Sequence, residues 1–120
     1  MNALSVINAA RTILQTTAYP AHLGDLLATD VNGFVALPTG PAFYVLDTIT
    51  GTPEHQWGTT RFGTVRIQVS AFSRVEGQAL AMLATAEPLL TAATFIPLDV
   101  TSLGRANDLT GYAQDFERTI

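Results

Sequence analysis

The alternation of apolar and polar positions is clearest in the segment WGTTRFGTVRIQVSAFSRVEGQALAMLATAEPLL, residues 57–90, around which the predicted fold is organised. Residues 61–72 alternate in the way that is typical of a β-strand with one buried face. The residues expected in the core are Val65, Ile67, Val69 and Ala71. At ~3.3 Å per residue this strand is longer than a small domain needs, so we expect its first part to project from the domain.

A helix is predicted directly after this strand. Ser73 and Glu76 have the spacing of a capping box, in which each side chain accepts a hydrogen bond from the backbone N–H of the other residue. The next segment is rich in Ala and Leu and is expected to bury a broad apolar face. The residues of that face are Ala79, Leu80, Leu83, Ala84, Ala86 and Leu90. Because Pro88 has no backbone N–H, we expect a kink or a restart near Glu87.

The N-terminal segment, residues 3–16, has the period of an amphipathic helix. Its apolar stripe consists of Val6, Ile7, Ala10, Ile13 and Leu14. Asn2 is the expected N-cap, and the β-branched pair Thr16 and Thr17, followed by Pro20, is expected to end the helix.

Four further segments lead to the central strand. Residues 22–27 predict a helical turn, and residues 34–37 predict a short edge strand that ends at a proline. Residues 43–50 are rich in β-branched and aromatic side chains and predict a strand. Residues 51–60 form a loop that is long for a hairpin.

The C-terminal part predicts two strands, residues 95–103 and 112–120, joined by a turn at residues 105–108. Pro97 in the first of them indicates an edge position or a bulge. In the second, one face carries Tyr112, Phe116 and Ile120 and the other carries Asp115 and Glu117.

The predicted order is therefore α, short β, β, long arm, β, α, β, β. This order indicates one α+β domain over residues 1–120. Its sheet is antiparallel, or mixed at most, with four to five strands. We expect two main helices on one face of the sheet and a long projecting β-hairpin arm.

The composition is poor in charge. The chain is 48% hydrophobic and 13% charged, about half the usual charged fraction, which favours a protein that hides much of its surface in an assembly. An unusually uncharged monomer is the alternative. All six basic residues are arginine, which is enriched at interfaces, although a GC-rich coding bias gives the same result.

The net charge of −4 argues against tight nucleic-acid binding, which needs a basic surface. It is compatible with a surface that DNA passes without adhering. Cysteine is absent, which excludes disulfides and thiolate metal sites. The N-terminus lacks the pattern of a signal peptide, and no segment has the apolar length of a membrane span. We therefore expect a soluble protein made in the cytoplasm.

Candidate chemistry is sparse. His22 and Asp25 are the nearest approach to a metal pair, but two ligands without a third indicate a metal site only weakly. Glu54 and His55 form a candidate acid/base pair, for which a solvated loop or contact patch is the stronger interpretation. There is no nucleophile elbow and no phosphate-binding glycine loop. We expect that the protein is not an enzyme and that it binds neither a metal ion nor a cofactor.

Trp57 has two interpretations. It is either a loop aromatic folded back on its own core or an anchor in a partner's pocket, since Trp and Arg dominate interface hot spots. With Glu54, His55, Arg61 and Phe62 nearby, we favour an interface arm.

Several sequence features together resemble a known family. They are a short strand that ends in proline (GFVALPTG), the strand entry AFYVLDT, the loop motif W-G-T-x-R, the strand VRIQVSAFSR, the helix pattern E-x-x-A-L-A-x-L and the ending YAQDFERTI. Over nearly the whole chain, this arrangement is similar to that of the tail terminator, or tail completion, proteins of long-tailed, siphovirus-type bacteriophages.

The resemblance implies a structural virion protein of the tail and neck, made in the host bacterial cytoplasm. Its subunits form a ring, usually a homo-hexamer, that caps the tail tube, stops its polymerisation and joins the head connector. DNA passes through the lumen without specific binding. The candidate lumen acids are Asp115 and Glu117 on the last strand, or Glu54 in the arm. The alternatives are another neck or head-completion protein and a small α+β ligand-binding domain.

Overall fold

The computed structural model of the chain describes residues 3–24, 40–50, 64–75, 77–106 and 108–119. In this part of the chain the fold is α+β, as predicted, with two helices and a five-stranded mixed sheet. The elements are, in order, α1 (Ala3–Leu14), β1 (Ala21–Leu23), β2 (Ala42–Thr50), β3 (Thr64–Ser73), α2 (Gln78–Ala92), β4 (Ile96–Ala106) and β5 (Leu109–Thr119).

The sheet has the strand order β1-β2-β3-β5-β4. β1 pairs with β2 in parallel, and the other three pairings are antiparallel. β4 lies at one edge, and its register with β5 shifts between Pro97 and Val100. The prediction that Pro97 marks an edge or a bulge is therefore confirmed on both counts.

The main hydrophobic core lies on one face of the sheet. Tyr44, Ala71 and Tyr112 stand opposite one another across β2, β3 and β5, so they share that face. Tyr44 and Ala71 belong to a buried cluster that also contains residues of α1 and α2, and Tyr112 packs against it. The predicted core side of β3 is confirmed, since all four of its expected residues are fully buried.

α1 ends at Leu14, two residues before the predicted end at residue 16. Its buried stripe matches the prediction, except that Ile13 is only partly buried. The hydroxyl of Thr16 donates to the carbonyl of Ile13 at 2.6 Å, and the hydroxyl of Thr17 donates to that of Leu14 at 2.7 Å. The same carbonyls also accept the backbone N–H groups of Thr16 and Thr17, at 3.1 and 3.0 Å, so each hydroxyl adds a second hydrogen bond at the end of the helix.

The start of α2 differs from the prediction. The helix begins at Gln78, after Gly77 in a left-handed conformation (φ 81°), so Ser73 is not its N-cap. The Ser73 hydroxyl instead accepts a hydrogen bond from the Val75 N–H at 3.0 Å and contacts the Gln78 side chain. The prediction that a capping box at Ser73 starts the helix is therefore wrong. Glu76, the other residue of that predicted box, lies outside the described residues.

The buried face of α2 is also rotated from the prediction. It consists of Ala79, Met82, Leu83, Ala86 and Leu90. Leu80 and Ala84, which were expected in the core, are exposed. The reason is that α2 is apolar all round, so periodicity does not select which side faces the sheet. Of the two alternatives predicted near Glu87, the restart is wrong, since the helix continues through Pro88 to Ala92. The kink stays a prediction.

β1 replaces part of a predicted helical turn. Residues 21–23 form a strand in which Ala21 and Leu23 are buried and His22 lies between them. The carbonyl of Pro20 accepts from the Tyr44 N–H at 2.8 Å, which holds this segment beside β2. Tertiary pairing has overridden the local preference of a three-residue segment.

The C-terminal turn is shorter than predicted. β4 continues through Ala106, which stands opposite Leu109, so only residues 107–108 connect the two strands. Asp108 has φ 66°, a conformation that Asp tolerates in tight turns. The remaining predictions, namely the cap at Asn2, the short strand at 34–37, the loop at 51–60 and the arm that includes residues 61–63, lie outside the described residues.

Candidate functional site

The sheet face opposite the main core carries most of the charged strand residues. We call this face the second face and define it by Asp47, Arg66, Gln68, Asp115 and Glu117. Asp47 stands opposite Gln68, Gln68 opposite Asp115, and Arg66 opposite Glu117, so the five side chains emerge in two adjacent rows. Alternation along β2, β3 and β5 places them there, because each of them is next in sequence to a core residue of the opposite face, namely Leu46, Val65, Ile67, Val69 or Phe116.

One ion pair joins these rows. Arg66 Nη2 lies 2.9 Å from Asp115 Oδ2, and Gln68 Nε2 donates to Asp115 Oδ1 at 3.4 Å. The Arg66 side chain is 44% exposed, so solvent screens the pair, and pairs of this kind contribute at most ~1 kcal/mol. Three acids against one base leave this part of the second face acidic.

The two candidate lumen acids of β5 therefore lie as the alternation predicts. Asp115 and Glu117 lie on the side of β5 opposite Phe116, which is fully buried in the main core. Asp115 is already paired with Arg66. Sequence reasoning missed Asp47 and the role of Arg66, since only the strand register shows which residues are neighbours across the sheet.

The other end of the second face is apolar. Phe43, Val45 and Leu109 are buried and pack with Phe72. The His22 ring meets the Phe43 ring edge-on at a centroid distance of 6.2 Å.

The contacts of His22 give no support to the candidate metal pair of His22 and Asp25. His22 lies against an aromatic ring, and Asp25 lies outside the described residues. Within the described ranges, no group of three or more His, Asp or Glu side chains is arranged to hold a metal ion.

The predicted interface arm lies outside the described residues. This applies to Glu54, His55, Trp57, Arg61 and Phe62. In sequence they lie between β2 and β3, and Thr50, the last residue of β2, is paired with Arg66, near the start of β3. The arm therefore stays a prediction.

An open cleft of about 480 Å³ lies at the opposite end of the β2–β3 pair. It is lined by Ala18, Tyr19, Pro20, Gly40, Pro41, Ala42, Val75 and Gln78. The Tyr19 hydroxyl accepts from Gln78 Nε2 at 3.1 Å. Among the described residues of this lining Tyr19 is the only titratable side chain, and these residues offer apolar contact and hydrogen bonds.

In comparisons with known proteins, no family model matches the chain and no curated protein matches it. Neither of the two described helices is long and apolar enough to cross a membrane.

Proposed function

We propose that this protein is a structural subunit of a long-tailed bacteriophage, and that its copies form a ring, a hexamer in the first instance, at the head-proximal end of the tail tube. In this role it stops tube polymerisation, joins the tail to the head connector and leaves a channel for DNA. The protein acts by contact and uses no cofactor. It belongs to the virion rather than to the enzymes of the infected cell.

The observation that carries the proposal is the distribution of charge over the sheet. The second face holds Asp47, Asp115 and Glu117 against the single base Arg66. The only charged side chain on α2 is Glu87. A subunit with one acidic sheet face suits a ring, because an acidic face that lines the channel repels DNA, and a helix with a single charged side chain costs little to bury at a contact between subunits.

The assembly itself is tested by mass and by binding to tube ends. We expect a ring of several copies by analytical ultracentrifugation and electron microscopy, and we expect it at the ends of purified tail tubes. In a tube-polymerisation assay, the protein should stop growth at less than stoichiometric amounts. A protein that stays strictly monomeric and does not bind tube ends contradicts the proposal.

If Glu117 lines the DNA channel, replacing this acid with a base should change the rate of DNA ejection. Glu117→Arg should place a positive charge on the second face and slow DNA ejection from assembled particles, since Arg binds phosphate. Ejection is followed by dye fluorescence after receptor triggering. Glu87→Arg is the matched control, because Glu87 is an acid of the helix layer. Equal ejection rates for both variants and the unmodified protein remove Glu117 from the channel.

If the predicted arm binds a neighbouring subunit or the tube, changes in it should impair assembly and leave folding intact. Trp57→Ala with Arg61→Ala should leave the melting temperature unchanged and impair ring formation or tube binding, because hot-spot residues act at the contact. Circular dichroism measures the first quantity and ultracentrifugation measures the second. If the double variant unfolds, Trp57 belongs to the core and the arm hypothesis fails.

The cleft supports a second candidate function, that of a small ligand-binding domain. Its volume of about 480 Å³ is in the range of ligand pockets, and Tyr19 and Gln78 supply polar groups at its wall. Fragment screening by NMR tests this second function. Saturable binding of a fragment in the cleft, by a protein that stays monomeric and does not bind tube ends, favours the ligand-binding domain.

A further inference from the structure

The open cleft and the predicted arm belong to opposite ends of the same strand pair. The cleft lies around Ala42 and Val75, where β2 begins and β3 has just ended. The arm, which we define here as residues 51–63, connects the other ends of these strands, from Thr50 to Thr64. A contact between an arm and a cleft therefore joins two different ends of the subunit.

The arm is too short to fill the cleft of its own chain. Trp57 follows Thr50 by seven residues, so even a fully extended chain carries its backbone at most about 25 Å from that point. β2 runs through nine residues back to Ala42 and spans about 26 Å. On the side of the sheet where the cleft lies, α1 packs against β2 along this course. If Trp57 binds in a cleft, that cleft belongs to a second copy.

The described lining of the cleft suits an indole ring. Pro20, Pro41 and Val75 offer apolar contact, and none of the described lining residues is charged. The Tyr19 hydroxyl accepts a hydrogen bond from Gln78 Nε2 at 3.1 Å, and a hydroxyl oxygen can accept two. It can therefore also accept the indole N–H, which needs a partner when the ring is buried. The volume of about 480 Å³ leaves room for one such side chain.

The middle of the arm matches this lining in charge. Trp57 is the only tryptophan of the chain, and its neighbours Gln56 and Gly58 to Thr60 carry no charge. An uncharged segment that enters an uncharged lining avoids the cost of burying an unpaired ion. Tryptophan is also the type of side chain that most often dominates the binding energy of an interface.

We propose that Trp57 of one copy binds in the cleft of the next copy, against Tyr19, Pro41 and Val75. A contact between two different surfaces is heterologous, and it closes into a ring when the rotation between neighbours fits. The inference rests on the proposed ring and names the contact that holds the ring together.

Two variants each remove one half of this contact. Val75→Asp places a charge in the cleft and leaves the arm unchanged, and Val75 is 60% exposed, so the domain should still fold. Trp57→Ala removes the ring that fills the cleft and leaves the cleft unchanged. Each variant alone should associate at least about tenfold more weakly than the unmodified protein and should form no rings.

Mixing the two variants should restore one contact in each pair. Trp57→Ala has no tryptophan, so the indole fluorescence of the mixture, excited where tyrosine does not absorb, comes from Val75→Asp alone. Titration with Trp57→Ala should move this emission saturably to shorter wavelength, because the indole leaves water, and sedimentation should show a heterodimer that does not grow. The control titrant carries both substitutions and should cause no shift. No saturable shift up to about 1 mM, or an equal shift with the control titrant, overturns the proposal.

A second measurement does not depend on the folding of Trp57→Ala. The emission of the unmodified protein should move to shorter wavelength as rings form with rising concentration, and that of Val75→Asp should not. Val100→Asp is the matched control and should behave like the unmodified protein, since Val100 is 49% exposed on β4 and outside the cleft. A shift that survives in Val75→Asp, is lost equally in Val100→Asp or is absent from the unmodified protein overturns the proposal.

The same measurements keep the contact separate from the proposed function. A saturable shift on mixing, in a protein whose rings do not bind tube ends, supports the contact and contradicts the proposed function. Rings that form and bind tube ends in both Val75→Asp and Trp57→Ala contradict the contact and leave the proposed function in place.

Discussion

Tyr44 joins the sheet to α2 and to the segment that follows α1 through one side chain. Its ring is fully buried, and its hydroxyl donates to the carbonyl of Met82 in α2 at 2.7 Å. The Tyr19 ring meets it edge-on at 6.1 Å. Burial, with a smaller contribution from Tyr19, raises the pKa of Tyr44 from 10.0 to about 12. The phenol is therefore kept protonated in the folded protein at pH values where the unfolded chain releases the proton.

This pKa predicts a loss of stability in alkali. Below pH 10 both states hold the proton, and between pH 10 and 12 only the folded state does, so the free energy of unfolding falls across this window by about 3 kcal/mol. Tyr44→Phe should remove that part of the pH dependence and cost about 1 kcal/mol at neutral pH. Urea titrations at several pH values measure both effects. A variant with the same alkaline slope as the unmodified protein contradicts the assignment.

Single residues were predictable from the sequence where alternation decided their side. The core residues of β3 and the opposite placement of Phe116 and Asp115 follow from a period of two. The neighbours of Asp115 were not predictable in this way. The pairing with Arg66 depends on the register of β3 against β5, and a shift of one residue would have exposed the core side chains instead.

At the scale of elements, α2 shows where local signals fail. The spacing of Ser73 and Glu76 fits a capping box, yet β3 continues through Ser73 because that residue is still paired with Thr110. The helix therefore starts later, at Gln78, after a left-handed residue. Gly77 permits this change of direction, since a residue without a Cβ carries no penalty at positive φ.

Gly77 is consequently expected to be sensitive to backbone strain alone. A Cβ at this position would meet nothing within 4 Å, so Gly77→Ala tests conformation without a steric clash. We expect it to destabilise the protein by about 1–2 kcal/mol. Gly77→Asn is the matched control and should cost less, because Asn tolerates the left-handed region. Equal costs measured by urea unfolding mean that the conformation of Gly77 does not limit stability.

At the scale of the molecule, the fold class and most element types were predictable because long periodic segments dominate this chain. What was missed has a common physical cause. The rotation of α2 and the strand at Ala21–Leu23 depend on contacts between segments that are distant in sequence. The same limit applies to the candidate site, where the acids could be placed on a face but not paired.

The buried cluster predicts that the whole domain unfolds as one unit. Residues of α1, α2, β1, β2, β3 and β5 share it, and Phe116 is among its largest members. Phe116→Ala should lower the free energy of unfolding by about 3–5 kcal/mol, and Val100→Ala, at an exposed position, by at most ~0.5 kcal/mol. Ile67→Val, with an expected cost of about 1 kcal/mol, keeps the test usable if the first variant does not fold. Far- and near-ultraviolet circular dichroism should give one coincident transition for every folded variant, and two separate transitions would show that the helices and the sheet do not form a single cooperative core.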